Sequence, residues 1–171
     1  MVWCILDCEL IRTSSKHVCI RAMYVLLEDE TTDKFLEFLP CVDIKLIETK
    51  YQQSYIYCRK WIHKLPYYPV KMSGPCLTAP IELERFIKQN KVNVVFYKGG
   101  QAEKILCDQI GVLSHNIEDF GVPKVKSHNP REEVISHLTY LKSNCLETID
   151  SYMNDVKYHK KYLIFGNPTM S

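Results

Sequence analysis

With 171 residues, 46% hydrophobic and 25% charged, the chain has the length and apolar content for one domain, 1–171, with a sizeable core, and too little for a second. A net charge of +2 permits contact with a polyanion without demanding it, so there is no strong electrostatic footprint. No stretch is long enough to span a membrane, the N-terminal apolar run carries acids rather than a basic leader, and eight cysteines are spread without a Cys-x-x-Cys pair. A soluble intracellular protein, cytoplasmic or nuclear, is expected, with cysteines serving mainly as small core residues.

The chain opens on Val2-Trp3-Cys4-Ile5-Leu6-Asp7-Cys8-Glu9-Leu10-Ile11, apolar on both faces, as a strand buried between two layers would be. Side chains alternate along a strand, so Asp7 and Glu9 project from the face that also carries Trp3 and Ile5. Two like charges on a buried strand repel and lose hydration, so that one must take a proton or a cation must sit between them. Magnesium or manganese is the usual solution. The competing reading ends the strand near Leu6 and leaves both acids solvated at its tip.

A polar turn over Arg12–Lys16 leads into a second strand, His17 to Leu27, and an acidic turn into a third, Phe35 to Leu39, stopped by Pro40. The opening third therefore reads as a three-stranded antiparallel meander. Between Val42 and Ser73, Leu46, Tyr51, Tyr55, Cys58, Trp61 and Ile62 are spaced roughly as one helix face, before a loop of prolines and tyrosines. Trp61, Tyr67 and Tyr68 offer faces on which bases could stack, although such aromatics more often fill a core.

Thr78 is a candidate N-cap for an amphipathic helix ending at Gln89-Asn90, and Val92–Tyr97 is a buried strand broken by Lys98-Gly99-Gly100. Glycines between a strand end and a helix start expose backbone N–H groups that favour an anion, and Lys98 adds a charge for a phosphate or nucleic-acid backbone. Ala102–Ile110 is a helix stopped by Gly111, and Asn116–Phe120 a short strand. From Pro130 to about Tyr158 apolar residues recur every three or four positions, as one long helix or two in series. Lys124, Lys126, Arg131, Lys142, Lys157, Lys160 and Lys161 make this last third positive, most of them as solvated surface.

Three strands, then helix, strand, helix, strand, helix: this order resembles the RNase H-like fold of the DEDD exonucleases over most of the chain. The resemblance implies an α/β domain with a mixed central sheet, meander plus parallel strands, flanked by helices. It also implies a divalent-metal-dependent nuclease, 3′–5′ exonuclease-like, acting on RNA or single-stranded DNA. Asp7-Cys8-Glu9 matches the Asp-x-Glu of the first strand. Glu103, after Lys98-Gly99-Gly100, stands where the third acid lies, and Asp150, five residues after Cys145, where the fourth follows a histidine. Asp7, Glu9, Glu103 and Asp150 are thereby the implied catalytic residues, with Asp7, Glu9 and Asp150 on magnesium or manganese. The chain departs from the family pattern at Leu10-Ile11-Arg12, in having glutamate as third acid, and in Cys145 replacing the histidine.

A second resemblance is to the Maelstrom domain, an RNase H-like branch that lacks the exonuclease acids and carries a zinc cluster of Glu, Cys, His and Cys. Here His17 takes the Glu-like place, His137 and Cys145 fit the His and second Cys, Val134 replaces the first Cys, and His128 could complete a tetrahedral set. That resemblance implies a binding module for nucleic acid or protein that kept the fold and lost the chemistry, with a structural zinc. Otherwise His137 and Cys145 are ordinary residues of an amphipathic helix.

Overall fold

The axis of the structure is β1 (Val2–Arg12), in which Trp3 through Cys8 are all buried. The computed structural model describes residues 1–15, 18–29, 34–38, 41–42, 44–64, 71–72 and 78–165. β2 (Val18–Leu27) returns antiparallel along β1, with Asp7 opposite Tyr24, and β3 (Phe35–Phe38) pairs antiparallel with β2. The meander thus matches the sequence pattern; His17 and Leu39 lie outside the described residues. Between Glu9 and Leu10 the β1–β2 register shifts by a bulge, a device that re-aims side chains where it occurs.

A two-residue parallel ladder joins β4 (Cys41–Val42) to β5 (Lys71–Met72), with α1 (Thr49–Tyr57) between them in sequence. α1 buries Tyr55 against Ile11 and Ile47. Trp61, in the π-helical turn that follows, is exposed, with the Lys60 ammonium 4.8 Å from its ring centre; Tyr67 and Tyr68 lie outside the described residues.

α2 (Thr78–Gln89), β6 (Val92–Tyr97), α3 (Gln101–Ile110) and β7 (Leu113–Asn116) follow. α3 ends where Gly111, at φ +75°, takes the left-handed turn that glycine adopts without a Cβ penalty. β6 runs parallel to β1 and β7 parallel to β6, so the mixed five-stranded sheet has the order β3-β2-β1-β6-β7 with β1 at its centre. One expectation changes here. The segment Ile117–Phe120 is a 3-10 turn, not a strand, because Asn116 Oδ1 accepts the Glu118 N–H at 3.0 Å and curls the chain; the strand is Leu113–Asn116 just before it.

The last third is two helices in series, α4 (Pro130–Asn144) and α5 (Leu146–Phe165), interrupted at Cys145. Asn129 caps α4, its side chain accepting from Arg131 N–H at 3.0 Å and Glu132 N–H at 3.4 Å, with Pro130 preset for the first turn.

The two faces of β1 feed two cores. Trp3 and Ile5 join Phe96, Val134, Leu138 and Leu141 under α4 and α5; Cys4, Leu6 and Cys8 join Leu83, Phe86 and Leu106 under α2 and α3. Ile5 and Leu6 are fully buried on opposite faces, each stabilising the sheet by about 1.5–3 kcal/mol. That anchoring fixes where Asp7 and Glu9 emerge.

Candidate metal centre

The last β1–β6 pair is Ile5 with Phe96, so Asp7 and Glu9 lie beyond the end of β6, beside Lys98-Gly99-Gly100 and the start of α3. Ligands gather at such carboxyl ends of parallel strands, because the chains leaving them diverge and open a crevice. Asp7 is nonetheless 92% buried, at 8% relative exposure. α4 packs over β1 and β2 and brings Glu133 down onto the acids. One ligand oxygen from each of Asp7, Glu9 and Glu133 lies within 4.8 Å of the others, and this is the one such cluster of metal-ligating side chains among the described residues.

Glu103 approaches from the other face of the sheet. Its Oε1 accepts the Cys8 backbone N–H at 2.9 Å, bridging α3 to β1 between the two acids of the strand. Gly100 sits beside this carboxyl, where a Cβ would stand 3.4 Å from Glu103 Oε2. Because the Glu103 carboxylate also bonds its own backbone N–H, it occupies the helix N-terminus. The Gly99 N–H is likewise engaged, donating to Asn116 Oδ1 at 3.2 Å. The Gly99 N–H is thus already engaged within the protein, and Lys98 lies beside it.

Electrostatics mark the cluster as unfavourable by itself. Burial, reinforced by Glu133, Glu103 and Glu9, holds the Asp7 carboxyl far above the usual carboxylate range, and the proton it keeps makes a hydrogen bond to Glu133. Burial pushes Glu103 up to about 7, against the pull of its two backbone N–H donors. It raises Glu133 as well, and the bond from Asp7 only partly offsets this. Asp7 Oδ2 and Glu103 Oε2 are buried without a hydrogen-bond partner. Each such orphan costs about 1–3 kcal/mol, more if charged, and a cation is what would satisfy several acceptors together.

Of the sequence candidates, Asp7, Glu9 and Glu103 come together and Asp150 does not. α5 turns Ile149, Met153 and Val156 inward, so position 150 is rotated off that stripe and is exposed. The helical acid at the cluster is Glu133, which the sequence reading missed. Its signal was the pair Glu133-x-x-x-His137, two polar residues one turn apart flanking the buried Val134, Leu138 and Leu141.

Among the described residues, His128, His137 and Cys145 of the zinc set do not gather into a metal-ligating cluster. His137 and Cys145 are eight residues apart, about 12 Å along a helix, too far for ligands that must each reach within about 2.0–2.3 Å of one ion. Cys145 instead packs in the core with its Sγ donating to the Phe120 carbonyl at 3.6 Å. His128 is exposed, its Nδ1 3.9 Å from Glu9 Oε1, and His17 lies outside the described residues.

Comparison of the chain with protein-family models, with curated proteins and with solved structures finds no match.

Proposed function

We propose that the protein is a divalent-metal-dependent nuclease of RNase H-like fold, using magnesium or manganese to cleave RNA or single-stranded DNA. The observation that carries the reading is the carboxylate cluster of Asp7, Glu9 and Glu133 at the carboxyl end of the central strand, in which Asp7 is buried with its Oδ2 lacking a hydrogen-bond partner. The strand order β3-β2-β1-β6-β7, with only β2 antiparallel to β1, supports the fold assignment. The nucleic-acid substrate is carried over from the family resemblance.

In this reading Asp7, Glu9 and Glu133 hold the ion, and Glu103 sets the negative charge from the opposite face while holding the Cys8 backbone in place. Hard cations select such all-oxygen sites. The ion, when bound, lowers the pKa of a water and stabilises the departing oxygen of the phosphodiester. Binding requires the proton that Asp7 keeps to leave, so occupancy grows with pH. His137, one turn along α4 from Glu133, lines the cavity beside the site.

The test is a labelled RNA or DNA single strand incubated with wild-type protein, Asp7→Asn and Glu133→Gln, with magnesium, with manganese and with chelator. Metal-dependent cleavage abolished by either substitution is expected. Wild-type protein that binds the strand without cutting it would make this a binding module on the same fold.

A further inference from the structure

Past the acids, the carboxyl end of β1 anchors a basic arm made of α1 and the π-helical turn Cys58–His63. The Glu48 N–H donates to the Thr13 carbonyl at 2.7 Å, Glu48 Oε2 accepts the Ser15 N–H at 3.2 Å, and Ile47 and Tyr55 pack on Ile11, two residues beyond Glu9. Spacing divides the arm into two stripes. Tyr51, Tyr55, Cys58 and Ile62 recur by three or four and are buried or half-buried, whereas Lys50, Ser54, Tyr57 and Trp61, with the same spacing, are all exposed. The anchoring thereby fixes which stripe meets solvent. Tyr57 and Trp61, each more than half exposed, lie on it roughly 6 Å apart along the axis.

The arm also concentrates the chain's positive charge. Residues 44–64 hold Lys45, Lys50, Arg59, Lys60 and Lys64 against Glu48, a net +4 in a chain of +2, so the remainder is net negative. Cations lie against its rings: Lys60 Nζ is 4.8 Å from the centre of Trp61, and Lys50 Nζ is 4.9 Å and Arg12 Cζ 5.9 Å from that of Tyr51. Exposed rings beside ammonium groups suit a ligand that repeats a flat π-face and a negative charge. We infer that this arm is a platform for single-stranded nucleic acid, with Tyr57 and Trp61 stacking on bases and Lys50 and Lys60 meeting backbone phosphates. An acidic peptide would answer the cations and leave the rings in water, and a duplex would keep its bases stacked on one another, out of the rings' reach. The inference rests on the nucleic-acid part of the proposed function and not on the metal. It adds where the strand is held: outside the acidic cluster, on an arm fastened to the same end of β1.

The test uses the full chain in chelator, where a strand binds without being cut. The chain has two tryptophans, Trp3 buried and Trp61 exposed, so quenching of exposed indole emission reads one ring. Wild-type protein is titrated with oligothymidylate or oligouridylate, with inorganic polyphosphate, which has the charge and no bases, and with phosphatidylserine vesicles; anisotropy of a labelled strand gives the affinity. The strand should quench Trp61. Trp61→Ala should bind it about 5–150-fold more weakly, and Trp61→Phe, which keeps a ring, within about threefold of wild type. Lys50→Ala and Lys60→Ala should each lower the slope of log affinity against log salt by about 0.7. Undiminished strand affinity in Trp61→Ala overturns the inference, as does polyphosphate binding as tightly as the strand, or Trp61 emission that responds to vesicles and not to the strand. A protein that binds the strand through Trp61 but cuts nothing when magnesium is added supports the platform and sinks the nuclease reading. Cleavage that needs Asp7 but keeps its KM in Trp61→Ala sinks the platform and leaves the nuclease reading standing.

Discussion

Glu103 Oε1 accepts the Cys8 backbone N–H at 2.9 Å, so an acid from α3 is locked onto the central strand from the face opposite Asp7 and Glu9. The bond takes one oxygen; the other is buried without a partner. Main-chain geometry, not an opposing cation, therefore keeps this carboxyl in place, and its charge is left unanswered in the protein alone.

A pH dependence follows for Glu103→Gln, which keeps the acceptor and removes the charge. The folded-state pKa of about 7 lies above the ordinary value of 4.5, so the group's contribution is fully present below about pH 4.5 and is lost as pH rises through 7. Measured by urea unfolding in chelator, wild-type stability should fall relative to Glu103→Gln by up to about 3 kcal/mol between pH 4.5 and 8. A constant difference across that range would show that the carboxyl titrates normally.

Asp7→Asn should separate stability from function. The change is isosteric and removes the most strongly perturbed acid, so in chelator at pH 8 the variant should be more stable than wild type by about 1–2 kcal/mol. Magnesium should raise the melting temperature of the wild type and leave that of the variant unchanged. A variant less stable without metal would mean that Asp7 serves the fold.

Which helical acid matters is open to a direct comparison of Glu133→Gln with Asp150→Asn. Glu133 shares the cluster with Asp7 and Glu9, whereas Asp150 is exposed on α5. Removing one preorganised charge from a reacting centre costs about 10²-fold or more, so Glu133→Gln should lose cleavage on that scale and Asp150→Asn should stay within about twofold. The reverse ranking would restore the family's placement of the fourth acid.

The central strand, its two acids, β6 and α3 were legible because each is bounded by strong local signals: an unbroken apolar run, a Gly-Gly break, a C-terminal glycine. β7 was not, since Leu113-Ser114-His115-Asn116 is an edge strand with almost no apolar content, and the apolar residues that follow it belong to a turn set by the Asn116 side chain. The break between α4 and α5 falls at Cys145 without glycine or proline, so periodicity alone left one long helix and two in series both open. Glu133 was hidden for another reason. An acid near a helix start already has an explanation in the helix dipole, and only the three-dimensional packing of α4 over β1 reveals its second role.

His137 supplies the last prediction. Burial, then the nearby Lys98 charge, lowers its pKa to about 4 from an ordinary 6.5. The sign is opposite to that of Glu103: the contribution is complete above about pH 6.5, where folded and unfolded rings are both neutral, and is lost as pH falls toward 4, where only the unfolded ring takes the proton. Val134, Leu138 and Leu141 line the same buried face of α4, so an aliphatic side chain suits the position. His137→Leu should therefore be more stable than wild type at pH 7, because two unsatisfied nitrogens disappear, by about 1–3 kcal/mol, and the gap should widen by up to about 3 kcal/mol at pH 4.5. Chemical denaturation at the two pH values decides it: a destabilised His137→Leu at pH 7 would mean that the ring nitrogens are satisfied in the folded protein.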